Sequence, residues 1–226
     1  TPLWISSASG HVEVVRLLLN RGATVDAVDL QRRTALQMAC MNGHLEVVLL
    51  LLDRGAQINR SDSCRVTPLG AACRKGRVEV VKALLRRGAA SSINVPNRKG
   101  WTPLCLGIQA RSEDVVEELL GWGADPKVTD RGGRTPLWMA CWEGDLRTVR
   151  HLLGRGAAIE AADKHGRTPL YVASWKGEAG VARELLDRGA NMEVADRNHL
   201  TPLLVASWKG CTAVVRELLE HGADIG

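Results

Sequence analysis

Residues 135–137 read Thr-Pro-Leu, and the same tripeptide recurs at positions 1, 67, 102, 168 and 201, with Thr-Ala-Leu at position 34. Neighbouring copies lie 33 residues apart, except for one interval of 35. A sequence that repeats at a fixed period of this size folds as a stack of similar units, because one unit is too small to bury its own apolar face. We therefore predict that the 226 residues form a solenoid rather than one or two globular domains.

Each copy contains the signals for two helices. Thr is a favoured N-cap, and the Pro that follows suits the first helical position, where its missing N–H costs nothing. A Gly nine residues after the Thr, such as Gly144, ends a short first helix, and an apolar run such as residues 80–85 indicates a second helix. Another Gly, such as Gly156, supplies a left-handed C-cap, and the chain then reaches a turn-forming Asp such as Asp163.

This pattern resembles the ankyrin repeat, whose signature is Thr-Pro-Leu-His-x-Ala within a unit of about 33 residues. The resemblance covers the whole chain and implies an all-α ankyrin-repeat solenoid, in which helix-turn-helix units are joined by β-hairpin-like loops. The first and last repeats are incomplete, so we expect the chain to be part of a longer protein. The predicted repeats 1 to 7 are residues 1–28, 29–61, 62–96, 97–129, 130–162, 163–195 and 196–226.

Some copies depart from the family pattern. Repeat 3 has two residues inserted within 90–92, and Arg32 and Arg65 stand where the family has a turn Gly. Repeat 4 has Arg111 in place of the Gly between its helices. Because a poor unit weakens a solenoid locally, we expect repeats 1–3 and repeats 4–7 to unfold separately.

The family's His after Thr-Pro-Leu is missing from every copy. In the family this His connects neighbouring loops by hydrogen bonds, so we expect those bonds to be absent here and stability to depend on apolar packing. We interpret Trp4 and Trp138 as packing residues. The residues at this position are Trp4, Gln37, Gly70, Cys105, Trp138, Tyr171 and Leu204.

The cysteines indicate a reducing environment. Cys40, Cys73 and Cys141 share one position of different repeats, where other copies have Ser. Repeats stack at about 8–10 Å, whereas disulfide-bonded Cα atoms lie within about 7 Å, so we predict packing thiols rather than disulfides. With no apolar run near 18 residues, we expect no membrane span and an intracellular, cytoplasmic location, with the nucleus as the other option.

The sequence contains no recognisable catalytic motif. The six histidines are scattered, and the sequence has neither a phosphate-binding glycine motif nor a Cys/His spacing typical of zinc. We therefore predict a non-enzymatic protein with no catalytic residues, no metal site and no cofactor.

Three tryptophans occupy one position of repeats 5, 6 and 7. We call Trp142, Trp175 and Trp208 the tryptophan row. The resemblance places this position on the exposed, concave side of the first helices, and Trp is enriched at binding hot spots. The alternative interpretation is that these rings only cover neighbouring apolar surface.

Positive charge is concentrated at the hairpin tips and the adjacent helix positions. The net charge is +5, and acidic residues such as Glu13, Glu46 and Glu79 fall on the second helices, with Glu143 as the exposed acid placed among the basic positions. The simple alternative is that these cations only keep the loops soluble. The basic residues of repeats 5 to 7 at these positions are Arg131, Arg134, Lys164, Arg167, Lys176, Arg197 and Lys209.

These two patterns together suggest that repeats 4 to 7 bind an acidic, extended segment of another protein. A polyproline II segment presents every third side chain at about 9 Å, which is close to the spacing of stacked repeats. The alternatives are that the basic face binds nucleic acid or anionic lipid headgroups, or that the chain is the recognition arm of a larger enzyme or receptor. We expect a monomer.

The resemblance also implies one modification. Asparagines in ankyrin hairpins can be hydroxylated by an asparaginyl hydroxylase, and Asn59, with Leu51 eight residues before it, fits that pattern. The alternative, which we favour, is an ordinary turn-forming Asn.

Overall fold

The computed structural model describes residues 1–225 and confirms an all-α solenoid of helix pairs. Each of the seven repeats contributes a short first helix and a longer second helix. The first helices are α1 (Pro2–Ala8), α3 (Ala35–Asn42), α5 (Pro68–Cys73), α7 (Pro103–Gln109), α9 (Pro136–Glu143), α11 (Pro169–Lys176) and α13 (Pro202–Lys209). The second helices are α2 (Val12–Asn20), α4 (Leu45–Asp53), α6 (Val78–Arg86), α8 (Glu113–Gly121), α10 (Leu146–Gly154), α12 (Ala179–Asp187) and α14 (Thr212–Glu220).

The chain divides into two compact units, Thr1–Asp125 and the part from Pro126 onward. In the first unit, α1, α3, α5 and α7 pack side by side as one layer, and α2, α4, α6 and α8 form the other. The insertion of repeat 3 forms a 3₁₀ turn, Ala89–Ser92, against α6. In the second unit, α9, α11 and α13 form one layer and α10, α12 and α14 the other.

The boundary between the two compact units lies after repeat 4. Repeat 4 belongs to the first unit, because α7 packs on α5 and α8 packs on α6. Its irregular loop leaves this packing intact, since Leu104, Ile108 and Leu119 are fully buried. The structure divides after Asp125 instead of before repeat 4, and the separate unfolding of repeats 1–3 and repeats 4–7 stays a prediction.

Side-chain caps start every first helix. The hydroxyl of Thr135 accepts a hydrogen bond from the Trp138 N–H at 3.1 Å, and the corresponding Thr does the same in all six other repeats. Such a cap satisfies one of the N–H groups that a helix start leaves unpaired, and it stabilises the helix by about 1 kcal/mol. The local sequence thus sets where each repeat turns into its first helix.

In the hairpins, a side-chain oxygen of Asp or Asn accepts hydrogen bonds from two backbone N–H groups. Oδ1 of Asp163, for example, accepts the N–H groups of His165 at 2.9 Å and Arg167 at 3.1 Å. Within each unit, successive hairpins are joined by one backbone hydrogen bond, as from the Arg197 N–H to the His165 carbonyl at 2.9 Å. Within residues 1–225 the only β-type pairing is a single antiparallel bridge between Val28 and Thr34, so the loops are hairpin-like without forming a sheet.

Four residues other than Gly adopt the left-handed conformation. They include Arg32 and Arg65 at hairpin tips, at φ of 62° and 61°, where Gly133 and Gly166 stand in repeats 5 and 6. Arg111 and His199 are the other two, at φ of 52° and 61°. The hairpin geometry is therefore kept even where the sequence lacks Gly, at a cost in backbone strain.

We expect Arg65→Gly to raise the free energy of unfolding. The left-handed conformation costs an L-residue roughly 1–2 kcal/mol, and the greater freedom of Gly in the unfolded chain offsets about 0.4–1 kcal/mol of that gain. The net stabilisation is about 0.5–1 kcal/mol, measurable by urea unfolding followed by circular dichroism. Arg65→Ala keeps the strain and is the control; an equal gain from both variants would locate the effect in the exposed side chain instead.

The cysteines are free thiols, as predicted. Cys40, Cys73 and Cys141 are completely buried in the first-helix layers, and burial raises the pKa of each thiol. Cys64 is exposed at a hairpin tip. Every helix in the described part of the chain is too short or too polar to cross a bilayer.

Candidate functional site

The tryptophan row lies along the second unit, at the C-terminal ends of α9, α11 and α13. Trp208 is 68% exposed and Trp142 is 38% exposed, whereas Trp175 is half-buried. The same position in repeats 2 and 3 holds Met41 and Arg74. Exposed aromatic surface at this position is therefore a property of the second unit.

The three rings of the row have different surroundings. Trp142 stacks on Trp138, one helical turn earlier, with ring centres 5.5 Å apart and an angle of 8°. Trp175 contacts Tyr171 at 6.1 Å and meets Trp208 edge to face at 5.7 Å and 87°. Trp175 is therefore largely covered by other rings, while Trp142 and Trp208 keep an open surface. A binding role for the row stays a prediction.

Two lysines lie over the row. Nζ of Lys176 is 4.8 Å from the ring centre of Trp142. Nζ of Lys209 is 4.5 Å from Trp175 and 4.9 Å from Trp208. These cation–π contacts hold the ammonium groups at the exposed face, so the row is flanked by positive charge.

Two of the predicted steering charges are engaged within the chain. Arg134 forms an ion pair with Asp130, and Arg167 forms one with Asp163, each with an N–O distance of 2.6 Å. Both guanidinium groups also lie against the ring of Trp138, at 5.5 and 5.8 Å. These arginines therefore brace the hairpins, which leaves them less free to attract a ligand.

The tip cations Arg131, Lys164 and Arg197 have a different setting. They occupy one position of three successive hairpins and are exposed. None of them has an acidic partner within ion-pair distance among the residues that the structure describes. They form, with Lys176 and Lys209, a positively charged border along the tryptophan row.

Two acidic residues on the second helices of the second unit are paired with arginines away from this border. On the second helices, Glu184 is held by Arg150 and Arg188, and hydrogen bonds from these two arginines lower the pKa of Glu184 below its ordinary value. Glu217 is held by Arg183 in the same way. The half-buried Glu143 is the acid nearest to the row in sequence.

The expectation that no hydrogen bonds would connect neighbouring loops at the family's His position is wrong. Nε2 of Gln37 donates to the Val66 carbonyl at 2.9 Å, and Nε1 of Trp138 donates to the Arg167 carbonyl at 3.2 Å. Each acceptor precedes the capping Thr of the next repeat, so long side chains with an N–H group span the same gap. The chemistry of Gln and Trp, both N–H donors, was the signal that sequence reasoning missed.

Tyr171 makes a third connection of this kind. Its hydroxyl donates to Oδ2 of Asp196 at 3.2 Å, in the next hairpin. Burial and the neighbouring Asp196 carboxylate raise the pKa of Tyr171 to about 12.

The other predicted site residue, Asn59, lies in the first unit. It is exposed, and its side-chain N–H donates to the Ser91 hydroxyl at 2.9 Å. Its hydroxylation stays a prediction. Residues 1–225 contain no group of three or more His, Cys, Asp or Glu side chains placed to hold a metal ion.

Comparison with known proteins gives one family and many similar structures. A family model described as ankyrin repeats matches the chain in three copies, over residues 1–62, 60–130 and 137–226. The crystal structure of the ankyrin repeat domain of Bcl-3, described as a unique member of the IkappaB protein family, is 29% identical with a TM-score of 0.83, covering 97% of this chain and 98% of that one. The crystal structure of the human ASB11 ankyrin repeat domain is 27% identical with a TM-score of 0.86, covering all of both chains. Comparison with curated proteins gives no significant match.

Proposed function

Because this chain belongs to the ankyrin-repeat family, whose domains are generally protein-interaction modules, we propose that it binds a partner protein through the tryptophan row and its border of cations. The partner segment is acidic and extended. The observation that carries this proposal is the open aromatic surface at Trp142 and Trp208 beside five cations that have no acidic partner within ion-pair distance among residues 1–225.

Energetics support this surface over the other faces. Large aromatic residues supply most of the binding energy in protein interfaces, and exposed charges around them mainly guide the partner and select its charge. On the second helices of the second unit, Glu184 and Glu217 are paired with arginines and Asp187 with His221, so these acids form a face with little attraction for an acidic segment. Arg134 and Arg167 are kept out of the proposed contact set, because they are bound to Asp130 and Asp163.

The repeat spacing supports an extended partner. The row residues recur once per repeat, and stacked helices lie about 8–10 Å apart. A polyproline II segment returns to the same face about every 9 Å, so one side chain in three can meet each repeat in turn.

We expect the double variant Trp142→Ala with Trp208→Ala to weaken partner binding by about 30-fold or more, the effect of losing about 2 kcal/mol at a hot spot. The measurement is affinity capture from a lysate of the source, followed by identification of the captured protein and titration with its purified binding segment. Trp122→Ala is the matched control, because Trp122 is 43% exposed, close to the 38% of Trp142, but lies in the first unit at the C-cap of α8.

Charge reversal of the tip cations is the second test of the proposed surface. Arg131→Glu, Lys164→Glu and Arg197→Glu together should slow association and reduce its salt dependence. Unchanged binding by both sets of variants would refute the proposed surface. Recovery of nucleic acid alone, with affinity that falls steeply with salt, would replace the protein partner with the nucleic-acid alternative.

A further inference from the structure

Three hairpin aspartates of this chain form an ion pair with an Arg of the same hairpin, and the hairpin Asp of repeat 7 does not. In repeats 2, 5 and 6 the hairpin Asp uses Oδ1 to accept two backbone N–H groups and uses Oδ2 to bind an Arg four residues later, at 2.6 Å. The Arg neutralises a carboxylate that the fold has largely removed from water. The three pairs are Asp29 with Arg33, Asp130 with Arg134, and Asp163 with Arg167.

Asp196 in repeat 7 has the same backbone contacts without the counter-ion. Its Oδ1 accepts the N–H groups of Asn198 at 2.8 Å and Leu200 at 3.1 Å. The residue four positions later is Leu200 instead of Arg, and Oδ2 is met only by the Tyr171 hydroxyl at 3.2 Å and the Asn198 side-chain N–H at 3.4 Å. No cation lies within ion-pair distance of Asp196 in the described part of the chain.

This carboxylate is both buried and ionised. Asp196 is only 7% exposed. Burial alone would raise its pKa, but hydrogen bonds from the backbone of Leu200 and Asn198 and from the Tyr171 hydroxyl lower the pKa below its ordinary value. A buried charge without a partner is costly. Asp62 also has an apolar residue, Val66, four positions later in place of Arg. Asp62 is half-exposed, however, so water solvates its carboxylate.

Asp196 lines a cleft of about 280 Å³, which we call the repeat-7 cleft. Trp175 and Trp208 form its aromatic side, meeting edge to face. The ammonium of Lys209 lies over both rings, so this aromatic pair already attracts a cation. The other cleft residues are His165, Arg167, Tyr171, Asn198 and Leu200.

We propose that the repeat-7 cleft binds the guanidinium group of an arginine side chain from a partner protein. The arginine supplies from outside the counter-ion that Arg134 and Arg167 supply within their own hairpins. A guanidinium fits better than an ammonium, because it is planar, can stack on an indole ring and can donate to a carboxylate from two nitrogens. Arg167 lines the same cleft but is held by Asp163, so it does not fill this role.

Two variants test the cleft without removing the fold. Leu200→Arg copies the hairpins of repeats 5 and 6 and places a guanidinium on Asp196 from within the chain. Asp196→Asn copies repeat 4, where Oδ1 of Asn97 accepts the backbone N–H groups of Lys99 at 2.8 Å and Trp101 at 3.1 Å. Leu200→Met is the control for changing the cleft wall without adding charge.

The probe is N-acetyl-arginine amide, added to the full chain while the indole N–H signals of Trp175 and Trp208 are followed by NMR and assigned with Trp→Phe variants. We expect saturable shifts in the wild type and in Leu200→Met, and binding weaker by about tenfold or more in Leu200→Arg and Asp196→Asn. Lys209→Ala should tighten binding, because it removes a competing cation.

The neutral isostere N-acetyl-citrulline amide separates charge from shape and should bind about tenfold more weakly. Free arginine tests a small-molecule ligand as the source of the guanidinium, and tighter binding of free arginine than of the capped form would overturn the assignment to a protein side chain. Equal binding by Leu200→Arg, equal binding of citrulline, or no saturable shift up to about 100 mM probe would overturn the proposal itself.

Discussion

Trp138→Ala lowers the free energy of unfolding by about 3–5 kcal/mol, the cost of removing a large buried aromatic side chain. Trp138 is only 3% exposed, and its ring lies against the guanidinium groups of Arg134 and Arg167 and stacks on Trp142. Its Nε1–H also connects two repeats through the Arg167 carbonyl. The substitution therefore leaves a cavity, an unpaired carbonyl and two arginines without their aromatic support. Urea unfolding followed by far-UV circular dichroism measures the loss.

Two variants apportion this effect. Trp142→Ala removes a ring of the same size that is 38% exposed and forms no backbone bridge, so it should cost far less. Trp138→Phe keeps most of the packing and loses the N–H donor, at a cost of about 1–3 kcal/mol for the carbonyl left without a partner. A similar loss from Trp142→Ala and Trp138→Ala would contradict the view that Trp138, unlike Trp142, connects repeats 5 and 6.

We expect native Tyr171 to ionise near pH 12, whereas tyrosine in the unfolded chain ionises near pH 10. The reason is that burial disfavours the phenolate and the Asp196 carboxylate repels it. Because Tyr171 is the only tyrosine, the near-ultraviolet absorbance of tyrosinate reports this group alone. The titration is measured on native protein and in urea, with circular dichroism on the same samples to show which are folded.

The same shift makes stability depend on pH. The pKa is raised in the folded state, so between about pH 10 and pH 12 the folded protein keeps a proton that the unfolded chain has lost. The contribution of Tyr171 is fully present below pH 10 and is lost as pH rises through 12, amounting to about 3 kcal/mol. Tyr171→Phe should remove this part of the alkaline loss, and Asp196→Asn should lower the native midpoint of Tyr171 toward 10 while burial keeps it above that value. A native midpoint at 10 would contradict both the burial and the contact with Asp196.

The fold could be predicted from the sequence because its signals are local. The capping Thr, the Pro at the first helical position and the Gly between the helices each act on residues within one helical turn. Repetition then supplied the long-range information, since a unit that cannot bury its own face must stack on its copies. Local signals were less reliable where a different residue kept the same backbone, as Arg65 and Arg111 do.

The candidate site was predictable only in part. The sequence showed that Trp142, Trp175 and Trp208 share a position, but the burial of Trp175 depends on Tyr171 and on Trp208 of the next repeat. From the sequence, the basic residues of the hairpins could not be divided into those that form ion pairs and those that do not. Four-residue spacing inside the hairpin commits Arg134 and Arg167 to a carboxylate, while the tip cations have no such neighbour.

By itself, the sequence determined the family, the helix pairs and their order, and the position of the aromatic and basic residues within each repeat. Only the tertiary structure decided where the two compact units divide, which cations are already paired, and that Gln37, Trp138 and Tyr171 connect neighbouring loops. Only the tertiary structure showed that the Asp196 carboxylate is buried without a cation within ion-pair distance among the described residues. The physical reason is distance: helix caps and turns are settled by atoms a few residues apart, whereas burial and charge pairing depend on side chains about 30 residues away that stacking brings within a few ångströms.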